Sequence, residues 1–533
     1  MKKIVFGLLA IQLLIGKVYA QPMATALDKA TEYAETITAA DLAKHLRIIA
    51  SDSLQGRDTG EIGQKMAADY IAYQFFDYGI QPLITKENGS STYFQSIDLV
   101  KTQMSAMSLT IAGQPLAFPT DFLPLGNRSI NDTLRAPIVF AGYGLETPKY
   151  SDYAKTDVKG KVAFILLGEP SDKQGTGEKR VFNWRETFQA KEQLALQKGA
   201  KLVFFIDELG EVFQRDSSRF ANYARRAQLG FKKQPQSFEP LSLFISLPMA
   251  ARVLGVSEKK LLKQISRLRN QKPSKIKETE EIPIQLRISR DEIPVVTENV
   301  LGLVEGSDKK EEVVVITAHY DHLGMQGKVV YNGANDDGSG TVAVLELAQA
   351  FAKAKSEGNG PRRSILFMAV TGEEKGLLGS AYYTSHPILP LSNTIADLNI
   401  DMIGRVDDAH KDTPTVTTPD YIYVIGSDKL SSELHQINEE ANLKYTHLNL
   451  DYRFNDPNDP NRFYYRSDHY NFAKYKIPVA FYFNGVHEDY HQPTDDVEKI
   501  DFGKAEKVSR LVFYTAWELA NREQRIKVDS AKP

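Results

Sequence analysis

After residue 298 the chain alternates between short apolar runs and longer amphipathic runs, and this alternation constrains the fold more than any other feature. The apolar runs, rich in β-branched and aromatic residues, are typical of buried strands, and the amphipathic runs are typical of helices packed on a sheet. The strand-like runs are VVVITAH, SILFMAVT, ADLNIDMIG, YIYVIGS and IPVAFYFNG. We therefore predict an α/β fold with a mixed, mainly parallel central sheet and helices on both faces.

Composition excludes several classes of partner and site. The net charge is −3 over 533 residues, which gives no indication of nucleic-acid or membrane-surface binding. The sequence contains no cysteine, so disulfides and thiolate metal sites are ruled out. Residues 1–20 combine two early lysines, a short apolar core and a small residue before Gln21, as a secretory signal peptide does. We expect an exported protein, periplasmic or extracellular, with no membrane segment in its mature form.

Three stretches of different texture and a short polar tail follow the signal peptide. Residues 21–110 begin with helical patterns, and residues 111–295 contain short β-rich runs with one helical segment between them. Residues 296–525 carry the strand and helix alternation, with a hairpin-like turn at residues 306–308, and residues 526–533 form a polar tail. We predict one α/β domain, built from the first and third stretches, that is interrupted by an inserted β-rich domain.

The run from Val313 delivers His319 and Asp321 to the C-terminal end of a predicted strand, where open α/β sheets keep their sites. A glycine-rich loop follows, and its acidic pair, Asp336 and Asp337, comes just before a predicted helix. A histidine and a carboxylate presented together in this way form half of a metal site.

More acidic groups and a second histidine stand at later strand ends. Glu373 and Glu374 follow SILFMAVT, Asp401 ends the next strand, and His491 lies in the turn after IPVAFYFNG. Of two adjacent carboxylates, one can bind a metal while the other faces a bound water. Imidazole and carboxylate ligands favour zinc, so this set suits a pair of zinc-like ions. We expect the remaining histidines, including His45, to be mostly surface residues; His322, His469 and His487 lie beside the motifs.

The motifs HYDH, GANDDGSG, TGEEKGLLGS, NIDMIGR, YRSDH and YHQPTD together resemble the successive signatures of zinc aminopeptidases of peptidase family M28. The segment SDSLQGRDTG and the helix after it resemble the N-terminal helices of that family, and residues 111–295 resemble a protease-associated (PA) domain. The resemblance implies two zinc ions held by five ligands: His319, Asp336, Glu374, Asp401 and His491. It implies that Asp336 bridges the ions and is joined to Asp337 by a cis peptide bond.

The resemblance also implies catalytic roles. Glu373 would be the general base, and the Asp321 carboxylate would accept the second imidazole N–H of His319. Tyr490 would hydrogen-bond the developing oxyanion. Glu373 and Asp401 suit the α-ammonium group of a peptide with a free N-terminus, and Arg466 lies on a loop that borders the substrate.

Three other functions remain open. A carboxypeptidase or dipeptidase of the same superfamily would also use two zinc ions, and it would need a basic pocket for the substrate carboxylate. A glutaminyl-cyclase-like acyltransferase would use one zinc ion, which the five-ligand set disfavours. A binding protein on the same scaffold would be expected to lack ligands or the base, and the sequence retains them all.

Overall fold

The computed structural model describes residues 28–530 except for 126–127, 149, 169–183, 209, 211, 214–217, 219–220, 223–225, 233–240, 271 and 412–419. The predicted signal peptide therefore lies outside the described residues. The chain divides into two compact units, of which the first contains Met1–Gln95, Asn299–Glu373 and Ser380–Pro533, and the second contains Ser96–Glu298 and Glu374–Gly379. Among the described residues, the helices are all too short or too polar to cross a bilayer.

The first unit is built on a mixed sheet whose strands match the predicted apolar runs. The strand Ile282–Val304 enters this sheet through its last five residues, from Val300. The strands that follow it, in spatial order, are Arg363–Val370, Lys309–His319, Thr394–Ile400, Val479–Phe483, Tyr421–Ile425 and Asn449–Asp451. Short strands Gln81–Pro82, Ile84–Thr85, Ser91–Thr92, Gly324–Gln326 and Val329–Tyr331 complete the unit.

Four neighbouring pairs in this sheet are parallel and two are antiparallel, which confirms the prediction of a mixed, mainly parallel sheet. The prediction of a hairpin at residues 306–308 is wrong. The strands on either side of this turn do not pair, because Arg363–Val370 lies between them and bonds to both. A short turn predicts a change of direction, but it does not identify which strands pair.

The helices of the first unit pack on the apolar sheet. They are Lys29–Ala34, Ala39–Ile49, Ile62–Asp77, Gly340–Ser356, Leu378–Ser385, Ser432–Ala441, His469–Ala473 and Phe502–Asn521. Helix Gly340–Ser356 is buried along most of its length, including Val342, Leu345 and Phe351. This burial holds its N-terminus, directly after Asp336 and Asp337, in a fixed place.

The expectation that His45 is a surface residue is wrong. Its side chain is buried, with Nδ1 2.6 Å from the hydroxyl of Tyr70 and Nε2 3.3 Å from Oε1 of Glu346. These two partners come from two other helices, so the sequence around His45 gives no sign of them. Burial raises the pKa of the Glu346 carboxyl above its ordinary value, although His45 acts in the opposite direction.

Glu346→Gln is expected to gain stability relative to the wild type as the pH rises from 5 to 8. A carboxyl whose pKa is raised in the folded state contributes stability below its unfolded pKa, and this contribution is lost as the pH rises through the folded value. Glutamine has the same shape and does not titrate. Urea unfolding at both pH values measures the difference, with exposed Glu440→Gln as the control. A difference between variant and wild type that does not change with pH would contradict this prediction.

The second unit is rich in β-strands and also contains a small α/β sheet. The order of this sheet is Phe122–Leu125, Ser242–Ser246, Leu202–Asp207, Val162–Leu166 and Ile138–Phe140, with only the first strand antiparallel. The other strands are Phe94–Ile111, Gln114–Leu116, Ile130–Ala136, Glu146–Thr147, Tyr150–Ser151, Gln228–Gly230 and Ile282–Val304. Its helices are Trp184–Gln197, Leu247–Val253 and Glu258–Arg269. The relation of this unit to PA domains stays a prediction.

Candidate metal centre

Parallel strands of the first unit bring their C-terminal ends to one edge of the sheet, and the predicted site residues follow those ends. Strand Lys309–His319 ends in His319 itself, and Asp401 follows strand Thr394–Ile400 directly. Glu373 follows strand Arg363–Val370 after two residues. Neighbouring strands therefore hold these side chains close together, although up to 82 residues separate them in sequence.

Asp336 lies at the centre of this group and faces two imidazoles at once. Its Oδ1 is 3.2 Å from Nε2 of His319, and its Oδ2 is 3.1 Å from Nε2 of His491. Ligand atoms bound to the same tetrahedral zinc ion lie about 3.3 Å apart, given zinc to nitrogen or oxygen bonds of about 2.0–2.1 Å. Each oxygen of this carboxylate thus lies at about the distance that separates two ligands of one ion from a different imidazole nitrogen.

The donor atoms around His319 fit a metal ligand better than a hydrogen-bonded side chain. Its Nε2 is buried and makes no hydrogen bond of acceptable geometry, while Oδ1 of Asp401 lies 3.7 Å away and Oε2 of Glu373 lies 3.9 Å away. His319, Asp337 and Asp401 also present ligand atoms that lie within 4.8 Å of one another. Nitrogen and oxygen donors without any thiolate form a set that zinc accepts.

The carboxylates around the site shift its protonation equilibria. Burial disfavours the charge on His319, yet Glu373 and Asp401 raise its pKa well above the ordinary value. Burial likewise opposes ionisation of Asp336, but His319 and His491 hold the pKa of its carboxyl well below the usual range. The arrangement therefore favours a negative charge on Asp336 and a positive charge beside it, which a bound cation can replace.

The second imidazole nitrogen of His319, Nδ1, does not contact the Asp321 carboxylate as expected. Nδ1 lies 3.1 Å from the backbone carbonyl oxygen of Asp321 and 3.8 Å from its carboxylate. That carboxylate accepts hydrogen bonds from the hydroxyl of Thr59 at 2.7 Å and from the backbone N–H of Glu373 at 3.1 Å. Asp321 thus orients His319 through its main chain, and its side chain fixes the loop that carries Glu373.

Two neighbouring side chains hold the ligand loops from behind. The Asp495 carboxylate accepts hydrogen bonds from the backbone N–H groups of Asn335 and Asp336, at 3.0 and 3.1 Å. The Ser467 hydroxyl donates to Oδ2 of Asp401 at 2.7 Å. Neither role was predicted, although both residues lie in the motifs YHQPTD and YRSDH.

Two residues of the site have strained backbone conformations. Met402 and His491 both adopt left-handed conformations, with φ of 62° and 58°, which residues with side chains rarely occupy. Such conformations persist only where the surroundings enforce them, and they cluster at functional sites. The expected cis peptide bond between Asp336 and Asp337 is also present.

Glu373, Arg466 and Tyr490 line one cavity together with two of the candidate ligands. Its polar wall is formed by Asp336, Glu373, Asp401, Arg466 and Tyr490. The ring of Tyr490 stacks on that of His491, with centroids 3.9 Å apart. Glu374 begins the short segment 374–379 that groups with the second unit, and its role as a ligand stays a prediction.

Another histidine, His322, lies beside the predicted ligands although it was not predicted to be one of them. It is fully buried, its Nδ1 lies 3.9 Å from Oδ2 of Asp336, and its ring centroid is 5.9 Å from that of His491. His469 and His487 are buried as well. The HYDH motif contains the signal for His322, but sequence alone does not distinguish a ligand from a neighbour.

Comparisons with known proteins find similarity to zinc metalloproteases and aminopeptidases. The profile of peptidase family M28 matches residues 299–516. A probable zinc metalloprotease of Leptosphaeria maculans is 29% identical over 272 residues, which cover 44% of this chain and 60% of that protein. Aminopeptidase YwaD of Bacillus subtilis is 27% identical over 239 residues, covering 43% of this chain and 46% of that protein. The chain thus spans about half the length of the curated relatives it matches.

The fold is shared over a longer stretch. The solved structure of an aminopeptidase from Aneurinibacillus sp. strain AM-1 aligns with a TM-score of 0.53 and 19% identity, over 94% of this chain and 98% of that one. This similarity concerns the fold alone. The profile match contains every residue of the candidate centre that follows the inserted unit, from His319 to His491. The match of residues 299–516 to the model of peptidase family M28 confirms the resemblance that the sequence motifs indicate.

Proposed function

We propose that this protein is an exported two-zinc aminopeptidase that hydrolyses the N-terminal peptide bond of peptides. The observation that supports this most is the Asp336 carboxylate, whose two oxygens lie 3.2 and 3.1 Å from imidazole nitrogens on opposite sides. A single carboxylate between two histidines is suited to bridge a pair of ions. The proposal of export rests on the composition of residues 1–20.

His319 and Asp401 would hold one ion and His491 and Glu374 the other, with Asp336 shared by both. When bound, zinc supplies a Lewis acid that lowers the pKa of water and polarises the scissile carbonyl. The protein provides the fixed positions: buried His319 is oriented through Nδ1, and Asp401 is held by Ser467. Side chains fixed in this way need little rearrangement during the reaction.

Glu373 would act as the general base and later return the proton to the leaving amine. Its side chain is 13% exposed, lines the cavity and lies beside the ligands, while its backbone N–H is bonded to Asp321. A base must lie within reach of the water it deprotonates, and the distance of 3.9 Å between Oε2 of Glu373 and Nε2 of His319 supports this role. Tyr490 lines the same cavity and would donate to the oxyanion, an interaction worth about 2.7–4 kcal/mol for each donor lost.

The cavity also indicates the substrate. Its acidic side chains suit an α-ammonium group, and its lining also includes apolar side chains, among them Met402, Phe481 and Phe483. Apolar side chains favour an apolar residue at the N-terminus of the substrate, because burial of its surface is favourable. We therefore expect faster cleavage after leucine or phenylalanine than after glycine.

Arg466→Met is expected to lower kcat/KM for dipeptides by about tenfold. The guanidinium lines the cavity and stacks on the ring of Phe463 at 4.9 Å, where it can bind a substrate carboxylate. A hydrogen bond to a charged group is worth about 1.5–3 kcal/mol, and exposure of Arg466 reduces this gain. Steady-state kinetics with a dipeptide and its C-terminal amide measure the effect.

Arg462→Met is the matched control, because this exposed arginine stacks on Tyr465 at a similar distance of 4.9 Å and does not line the cavity. Equal kinetics for Arg466→Met and Arg462→Met would remove Arg466 from the substrate site. Arg466 is also the observation that favours the second candidate, a dipeptidase or carboxypeptidase that recognises a terminal carboxylate.

One set of substrates separates these functions. Leucine p-nitroanilide tests the aminopeptidase, its N-acetyl form tests the need for a free amine, a dipeptide tests the dipeptidase, and an N-blocked peptide tests C-terminal release. Cleavage of the free-amine substrates alone is the result we expect. Release of the C-terminal residue from the blocked peptide would favour a carboxypeptidase, and cyclisation of N-terminal glutamine would favour an acyltransferase.

A further inference from the structure

A short turn near the N-terminus, which the sequence analysis did not assign to the site, packs directly against the metal-binding loops. We call residues 55–59 the Arg57 turn. Gln55, Gly56 and Arg57 all have positive φ, from 50° to 66°. A Cβ atom on Gly56 would lie 2.4 Å from the carbonyl oxygen of Gly324, closer than real Cβ atoms approach. The left-handed turn and the glycine together allow this close contact.

The side chain of Arg57 is fully buried, and its guanidinium donates to four main-chain carbonyl groups. Nε donates to Tyr320 at 2.7 Å, Nη1 donates to Asn332 at 2.6 Å, and Nη2 donates to Gly333 at 3.0 Å. Nη1 also donates to Ile49 at the end of a helix, at 2.6 Å. One planar group therefore links the loop of His319 to the loop of Asp336.

The rest of the turn binds the same loops. The backbone N–H of His322 donates to the carbonyl oxygen of Arg57 at 3.1 Å, and the hydroxyl of Thr59 donates to Asp321 at 2.7 Å. These contacts bridge more than 260 residues of sequence. The position of the first ligand strand thus depends on a segment that contributes no ligand.

The charge of Arg57 matches its surroundings. Burial lowers its pKa to about 10, whereas Asp321, Asp336, Asp337 and Asp495 act to raise it. With this pKa the guanidinium remains positive at neutral pH. It therefore offsets part of the negative charge of the cluster without occupying a ligand position.

We propose that Arg57 is a positioning residue for the metal centre, which holds the loops of His319 and Asp336 in the geometry that binds zinc. The inference rests on the proposed function only in that these loops bind zinc. Lysine cannot replace arginine here, because a single ammonium group cannot reach the planar fan of carbonyl oxygens that the guanidinium reaches.

The test measures zinc affinity in the full-length protein by competition with a chelating dye, together with the visible spectrum of the cobalt-substituted form. Arg57→Lys keeps the charge, and Arg57→Met keeps the length of the chain without charge or donors. We expect zinc to bind about tenfold more weakly in the lysine variant and about a hundredfold more weakly in the methionine variant, as for other residues that support metal ligands. The cobalt spectrum should change in both variants.

Arg363→Lys is the matched control. Arg363 is equally buried and donates to the carbonyl groups of Leu519 and Arg522, but it lies at the start of strand Arg363–Val370, away from the ligand end. This variant should lose thermal stability and keep the zinc affinity and cobalt spectrum of the wild type. A purely structural role for Arg57 would give this same pattern in the Arg57 variants.

Folded Arg57 variants with wild-type zinc affinity and an unchanged cobalt spectrum would overturn the inference. If neither variant folds, Thr59→Val replaces them in the same measurement. This variant removes one hydrogen bond from the Arg57 turn to Asp321 and should weaken zinc binding by about threefold to tenfold. An unchanged affinity in that variant would equally overturn it. Failure of the wild type to bind zinc would instead refute the proposed function, so the two failures are distinguishable.

Discussion

Replacing Glu373 by alanine is expected to leave zinc content unchanged and to lower kcat by about 10²–10⁴, the usual contribution of a general base. The side chain lines the cavity, and its carboxylate is 3.9 Å from Nε2 of His319, so it can reach a water beside the ligands. Glu373→Gln, which keeps the shape and loses the basic group, should show the same loss. Steady-state kinetics and elemental analysis of the same preparations measure both quantities.

Glu488→Gln serves as the control for this prediction. Glu488 is exposed and pairs with Lys411, so its loss should change neither zinc content nor kcat. Activity of Glu373→Ala within about tenfold of the wild type would remove Glu373 from the role of base. Loss of zinc from that variant would instead make it a ligand.

Asp336→Ala should have the largest effect of any single substitution, because it removes a donor from both proposed ions at once. Oδ1 faces His319 and Oδ2 faces His491, so each of the two proposed ions would lose one protein ligand. We expect less than one zinc per chain after dialysis and no measurable peptidase activity. Elemental analysis with a peptidase assay measures both results.

Asp397→Asn is the matched control for the bridging residue. Asp397 is also a fully buried aspartate, it lies on strand Thr394–Ile400, and Thr317 donates to it at 2.9 Å. Burial raises the pKa of its carboxyl well above the ordinary value, so the neutral form is favoured and asparagine replaces it closely. This variant should keep its zinc and its activity. Two zinc ions retained by Asp336→Ala would contradict the bridging role.

The sheet and the predicted side chains could be derived from sequence because each depends on a local pattern. Buried strands appear in the sequence as apolar runs, and in a parallel sheet the C-terminal ends of the strands meet at one edge. His319, Asp401 and Glu373 stand at three such ends, and the structure brings Asp401 and Glu373 each within 4 Å of Nε2 of His319. Ligand position is therefore a consequence of strand order.

The groups that support the ligands had no comparable local pattern. Arg57 lies in the segment SDSLQGRDTG, which resembles part of the N-terminal region of the family, and three of its four carbonyl partners are more than 260 residues away. A main-chain carbonyl has no sequence signature, so neither this contact nor the one between His319 and the backbone of Asp321 could be predicted. The burial of His45 beside Glu346 depends in the same way on packing between helices.

The most direct test of the central claim is the rate of leucine p-nitroanilide cleavage as a function of zinc bound per chain. Zinc is removed with a chelator and returned in steps, and the N-acetyl substrate is assayed in the same samples. The proposed function predicts no cleavage without zinc, full activity as the zinc content approaches two per chain, and no cleavage of the N-acetyl substrate at any point. Cleavage that persists in the zinc-free protein, or equal cleavage of both substrates, would contradict it.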